Sequence, residues 1–243
     1  MNRPVSREQS VPWWRRRCLL IPLGSFVVLA VAAAIVWWGW LPHYRPNLRP
    51  GESFGVDVSN HQGEIDWIAV AHDDIEFAYI KATEGGDWVD PWFDRNWQEA
   101  RSAGIDVGAY HYFTLCQSGS EQAEHFLATV PIHEADLPAA LDLEYAGDCS
   151  EQRTREWVHE EVGNFLQIVE QATGTEVLLY VGGQFDKTYG ITETFSEPLW
   201  QRRILRRPGG DRWVVWQLSF FSNVNGIAGG VDLDVRRESL PPE

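Results

Sequence analysis

The sequence predicts an α/β fold: an irregular (β/α) barrel of about eight strands, with helices mainly after the first five, preceded by one N-terminal transmembrane helix. Three observations carry this reading. Short β-rich runs alternate with helical patterns from residue 54 to about 189, the rhythm of repeated βα units and so of a parallel sheet. Three further strand-like runs follow with little amphipathic helix between them, which brings the count to about eight and implies irregular closure at the C-terminal side. The length of 243 residues is common for a single barrel of this kind.

Residues 1–18 read as a basic cytoplasmic segment and 19–41 as a signal-anchor. Arg15, Arg16 and Arg17 precede an uncharged apolar run from Leu19 to Leu41, and a helix of ~20 apolar residues crosses a bilayer. Trp13 and Trp14 sit at one end of it, Trp37, Trp38 and Trp40 at the other, where aromatic belts belong. The arginines predict a cytoplasmic N-terminus and a catalytic domain outside the cytoplasm, periplasmic or facing the cell wall. The alternative is a cleaved signal peptide and a secreted product, for which Ala32–Ala34 supply the small residues. Residues 42–53, with Pro42, Pro46, Pro50 and Gly51, read as a linker.

The domain of residues 54–243 then unfolds in order. Strands are expected at Phe54–Val58, Phe77–Lys81, Val107–Phe113, Ala139–Leu143 and Glu176–Val181. Between them lie helical patterns at Ile65–Ala71, Pro91–Ala103 (stopped by Gly104), Ser118–Val130 and Thr154–Ala172, with a short helical patch from Gly182 to Tyr189. Ser118 with Glu121 three residues on forms a capping box. Pro198–Trp200, Trp213–Leu218 and Val231–Val235 complete the strands.

Charge excludes one class of partner. Residues 1–50 hold seven Arg and one Glu, whereas 51–243 hold 13 Lys and Arg against 34 Asp and Glu, a net −21. Such a domain is a poor ligand for nucleic acid. Thirteen Trp against one Met suggest aromatic surface for a partner with apolar C–H faces, as sugars have.

In such barrels chemistry sits at the C-terminal ends of the strands. Reading those ends gives Asp57 on the first strand, Asp142 and Glu144 on the fourth and Asp232 on the last. Asp142 and Glu144 are two apart, so they face the same way with Cβ atoms about 6–7 Å apart, from a rise of ~3.3 Å per residue. Two carboxyls at that range suit glycoside cleavage, one donating a proton to the leaving oxygen and one stabilising positive charge at the anomeric carbon. Crowding raises the pKa of at least one of them, keeping an acid protonated near neutral pH. Carboxylate clusters also hold divalent cations, but no nearby sequence has the ligand spacing of a calcium loop, and no metal or cofactor is expected. His61 and His111 read as hydrogen-bonding neighbours, since no Ser or Cys nucleophile stands beside either.

In order along the chain come G-V-D-V-S-N-H-Q-G-E-I-D-W (Gly55–Trp67), F-A-Y-I-K-A-T-E-G (Phe77–Gly85), D-P-W-F (Asp90–Phe93) and G-A-Y-H-Y-F (Gly108–Phe113). Q-A-E-H-F (Gln122–Phe126), L-P-A-A-L-D-L-E-Y (Leu137–Tyr145), W-V-V-W-Q-L-S (Trp213–Ser219), N-G-I (Asn225–Ile227) and V-D-L-D-V (Val231–Val235) follow. Taken together these blocks resemble the muramidases of glycoside hydrolase family 25, over residues 54–235. The resemblance implies a lysozyme that cleaves β-1,4 bonds between N-acetylmuramic acid and N-acetylglucosamine in peptidoglycan. It implies Glu144 as general acid/base, Asp142 as the group that orients the 2-acetamido group or stabilises the oxocarbenium-like centre, and Asp57 and Asp232 as charge-tuning neighbours. Tyr110, Tyr112, Tyr180 and Trp216 are candidates for sugar contacts.

Two departures stand out. Asp234 takes a place where the family commonly shows Asn, and Arg202 and Arg203 replace small and aromatic residues after Leu199–Trp200. Cys116 and Cys149 follow neighbouring strands in an oxidising compartment, so a disulfide beside the cleft is expected. A chitinase-like D-x-x-D-x-D-x-E is excluded by Leu137 and Ala140 at its first two acidic positions. The non-enzymatic alternative is a membrane-anchored peptidoglycan-binding module without turnover.

Overall fold

The computed structural model describes residues 28–145 and 153–237, in two compact units that meet in sequence between Arg45 and Pro46. In the first, helix α1 covers 28–35, continues as a π-helical stretch Val36–Trp40 and ends in a 3₁₀ turn Leu41–His43 that contains Pro42. Leu29, Ile35, Trp37 and Trp38 are exposed on it. Among the described residues no helix is long and apolar enough to cross a membrane. The first part of the expected 19–41 span, with Arg15–Arg17 and Cys18 before it, lies outside the described residues.

The second unit is a closed barrel. Its strands are β1 (Glu52–Val58), β2 (Ile75–Glu84), β4 (Asp106–Tyr112), β5 (Ala140–Leu143), β6 (Leu178–Val181), β7 (Leu199–Arg202), β8 (Trp213–Ser222) and β9 (Val231–Arg237). A two-residue strand β3 (Trp88–Val89) pairs antiparallel with the end of β2, an element the sequence reading lacks. The order β1-β9-β8-β7-β6-β5-β4-β2 closes through a β1–β2 pairing. Pairings from β1 through β8 are parallel, as the βα rhythm predicts.

Strand β9 is antiparallel to both its neighbours, which corrects the expectation of a strand ending at Asp232. Eight helix-free residues link Ser222 to Val231, a span suited to the antiparallel return seen here. Asp232 therefore stands at the start of its strand, and the reversed direction brings it to the same rim as the ends of the others.

The helices follow the first five barrel strands: α2 (Trp67–Ala71), α3 (Phe93–Ser102), α4 (Gly119–Thr129), α5 (Arg155–Thr173), and the short pair α6 (Gly183–Tyr189) and α7 (Ile191–Thr194). None separates β7 from β8. Their starts obey local rules. The Ser118–Glu121 capping box forms as expected, and the Thr154 side chain accepts from Trp157 N–H. Helices α4 and α5 approach closely because Gly119 has no side chain; a Cβ there would lie 1.7 Å from the Glu161 carbonyl oxygen. Between helix and barrel, the buried His111 ring stacks on Phe165 at 5.0 Å. Thr83 Oγ1 lies 2.7 Å from its Nδ1 and Gln122 Oε1 3.1 Å from its Nε2. Burial pushes this imidazole down to about 3, so it is a neutral packing residue.

Candidate active site

Residues two apart along each strand point to the same side of the sheet, and that period fills the barrel from base to rim. At the base, Gly55 leaves room for the Phe77 ring, which a Cβ would meet at 2.4 Å, and Gly108 does the same for Tyr79 at 2.6 Å. Above them Tyr79 packs on Trp200 with centroids 4.9 Å apart, and Tyr110 and Tyr180 meet the same indole edge-on. This aromatic layer is the floor of a cleft of about 400 Å³ lined by Asp57, Asp142, Glu144 and Asp232, among others.

The carboxylates reach one place from three strands. Asp57 and Asp232 are directly opposite in the β1–β9 register. Asp142 is the inward residue near the end of β5, paired in register with Tyr112 on one side and Tyr180 on the other. Glu144 follows two residues later, just past the strand, with its side chain 30% exposed. Beneath them Asp234 is fully buried and accepts from Trp200 Nε1 at 3.0 Å. Gln217 locks the arrangement: Tyr180 OH donates to its Oε1 at 3.2 Å, and its Nε2 donates to Asp57 Oδ2 at 3.4 Å.

Burial governs the protonation of these groups. It holds Asp57 well above the usual carboxylate range, helped by the charges of Asp232 and Asp234. Asp142 is raised by burial and then by Glu144, with Lys81 and Arg202 opposing. Asp232 is pushed up to about 6 by burial, against the pull of Arg202 and the Gln217 hydrogen bond. Asp234 is raised by burial and by Asp232. Asp142 Oδ1 and Asp234 Oδ2 are buried without a polar donor among the described residues, which disfavours the ionised form of each. Burial and mutual repulsion thus favour the protonated form at Asp57, Asp142, Asp232 and Asp234 more than water would.

Of the aromatic residues expected at the sugar, Tyr110, Tyr112 and Tyr180 line the cleft. Trp216 does not, and that expectation is corrected. It is out of phase with the inward residues Val215 and Gln217, is only 2% exposed, donates from Nε1 to the Arg203 carbonyl and carries Arg207 over its ring. Trp200 is the indole that faces the cleft. Lys81, Trp200, Arg202 and Gln217 also line it, and the sequence reading gave none of them a site role. Their signal was the two-residue period: Lys81 continues Phe77–Tyr79, Arg202 continues Trp200, and Gln217 continues Val215. His61 lines the cleft as well, its Nδ1 2.9 Å from Ser59 Oγ. Cys116 is disulfide-bonded, and its expected partner Cys149 lies outside the described residues.

Residues 56–227 match the family model for glycosyl hydrolases family 25. The chain belongs to that family. It is 43% identical over 213 residues to the uncharacterized protein YegX of Escherichia coli K12, across 83% of this chain and 76% of that one. It is 32% identical over 196 residues to lysozyme M1 of Streptomyces globisporus, across 73% of this chain and 65% of that one. The solved structure of a family 25 glycosyl hydrolase from Bacillus anthracis superimposes with a TM-score of 0.72 at 32% identity, covering 81% of this chain and 94% of that one. The protein is accordingly a glycoside hydrolase of the lysozyme type, and Asp57, Asp142 and Glu144 of its cleft lie within the family 25 match.

Proposed function

We propose that this family 25 enzyme hydrolyses the β-1,4 bond between N-acetylmuramic acid and N-acetylglucosamine in peptidoglycan, with Glu144 as general acid/base. The observation that supports it most is the contrast between two carboxyls of one strand end. Asp142 is half-buried, with its Oδ1 shut away from solvent, whereas the Glu144 side chain, two residues on, is 30% exposed to the cleft. In this reading Glu144 donates a proton to the glycosidic oxygen and later accepts one from water. Asp142 faces the 2-acetamido group or the oxocarbenium-like anomeric centre, and Asp57 and Asp232 set the local charge. Tyr110, Tyr112 and Tyr180 offer ring faces and hydroxyls to the sugars.

The test is digestion of purified peptidoglycan by the full chain beside Glu144→Gln, with mass spectrometry of the fragments. Fragments ending in reducing N-acetylmuramic acid, lowered about 10²–10⁴-fold in rate by the substitution, support the assignment. Intact glycan with binding retained points instead to a peptidoglycan-binding module without turnover.

The proposal includes the tether: the apolar run Leu19–Leu41 behind three arginines holds the enzyme in a bacterial membrane, with the barrel outside the cytoplasm. Recovery of the protein in carbonate-washed membranes, its barrel open to added protease in spheroplasts, is the expected outcome; a freely soluble mature product lacking residues 1–34 would overturn it.

A further inference from the structure

The cleft holds few positive charges, and they are placed unequally. The domain carries a net −21 after residue 50, and four carboxyls line the cleft itself. Two permanently basic residues face them, Lys81 and Arg202. Lys81 is committed: its Nζ is 2.7 Å from Glu84 Oε2, it lies over the rings of Trp88 and Tyr112 at 4.9 and 4.6 Å, and only 9% of its side chain is exposed. Arg202 is not. Its side chain is 51% exposed, and its one ion pair among the described residues is a 3.8 Å approach of Nη1 to Glu144 Oε1. That distance is too long for a hydrogen bond, and ion pairs this exposed are weakly held. A guanidinium with unused donors at the rim of an anionic cleft is built to take a planar anion, bidentate, from outside.

The surroundings give that anion room. A second hollow of about 680 Å³ shares Tyr180, Trp200 and Arg202 with the cleft and is lined further by Gly182, Gly183 and Arg203. It lies between β6 and β7 beside α6 and α7, where the Asp186 carboxylate is taken up by Thr192 N–H and Oγ1. Arg212, also there, is consumed by the carbonyls of Thr192, Phe195 and Glu197. Arg202 and the exposed Arg203 therefore supply its available positive charge.

We infer that Arg202, with Arg203 beside it, forms a carboxylate-reading subsite that selects glycan bearing acid groups next to the scissile bond. This rests on the muramidase reading. The recognised chemistry is a carboxylate, which peptidoglycan carries in two forms: the lactyl group of a stem-free muramic acid and the acids of a stem peptide. Against the repulsion of the carboxylate cluster, such a group is held only where a cation answers it. Arg202 is thus a specificity residue, distinct from a group that merely tunes Glu144.

The experiment uses the full chain and soluble peptidoglycan strands in four forms: with stems, without stems after amidase treatment, and each again with carboxyls converted to amides by carbodiimide and ammonia. The wild type should cut carboxylated strands with kcat/KM about tenfold above their amidated counterparts, mostly through KM. Arg202→Gln should bring that ratio near one, and Arg202→Lys should restore part of it. The strand form that carries the effect names the carboxylate. An equal loss on carboxylated and amidated strands, or a shift of the kcat–pH profile with KM unchanged, would overturn the inference in favour of an effect through Glu144. Binding to the four forms in a Glu144→Gln background separates the two readings. If no strand is cut but the carboxylate preference in binding vanishes with Arg202→Gln, the muramidase reading fails and the subsite stands. Binding that never distinguishes the forms removes the subsite. Circular dichroism of each variant verifies its fold.

Discussion

Asp232 stands across from Asp57 at the start of a strand, half-covered and within the field of Arg202, and its proton has a definite consequence for stability. Its folded pKa, about 6, lies above the unfolded value near ~4. The folded state therefore binds more protons than the unfolded one between those values. The stability this supplies is fully present below about pH 4 and is lost as pH rises through about 6. Asp57, Asp142 and Asp234 are raised in the same sense and extend the loss to higher pH. Asp232→Asn should flatten the fall between pH 4 and 6 and gain ~1–2 kcal/mol at pH 7, after allowance for its partial exposure. Urea midpoints measured across pH check this, and an unchanged slope would count against a proton held at this site. Asp234→Asn keeps an acceptor for Trp200 Nε1 and removes a carboxyl that burial holds above its ordinary range, so its urea midpoint should depend less on pH than that of the wild type.

At the scale of the element, much of the barrel is legible in local chemistry. Ser118 and Thr154 mark helix starts because their side chains satisfy backbone N–H groups that nothing else in the first turn can reach. What the strings of apolar residues do not carry is direction and phase. Trp213, Val215, Trp216 and Gln217 are one continuous run in β8, and only the sheet shows that Val215 and Gln217 look inward while Trp216 looks out. The reversal of β9 is likewise absent from its own residues and is seen only in its pairing with β8 and β1. Two substitutions test these placements. Trp216→Phe loses the bond to the Arg203 carbonyl and should cost about 1 kcal/mol of stability with kcat retained. Gly55→Ala puts a methyl into the Phe77 ring and should cost about 1–3 kcal/mol, read as a lowered melting temperature.

For the whole molecule, charge asymmetry and cysteine placement were readable without any fold. Seven arginines before residue 51 and a strongly acidic remainder divide the chain by charge. Cys116 is disulfide-bonded. Peptide mapping of the unreduced protein should find it joined to Cys149, and Cys116→Ser should lower stability by about 2–4 kcal/mol in thermal unfolding. Asp57, Asp142 and Glu144 were legible because strand ends in this architecture collect chemistry, whereas Asp232 reaches the same rim from the start of a reversed strand, and Lys81, Arg202 and Gln217 take their meaning from neighbours far away in sequence.

The reversed last strand also sets how the molecule answers force. Glu52, where the chain enters the barrel, is paired with Arg237 of β9, and both lie at the end of β1 away from Asp57. A pull on the chain ahead of Glu52 runs along β1, which is clamped between β9 on one side and β2 on the other. Two ladders of backbone hydrogen bonds must then slide together and cannot be peeled one by one. Tension applied between the chain ahead of Glu52 and the opposite rim would therefore run along the direction in which the barrel yields least.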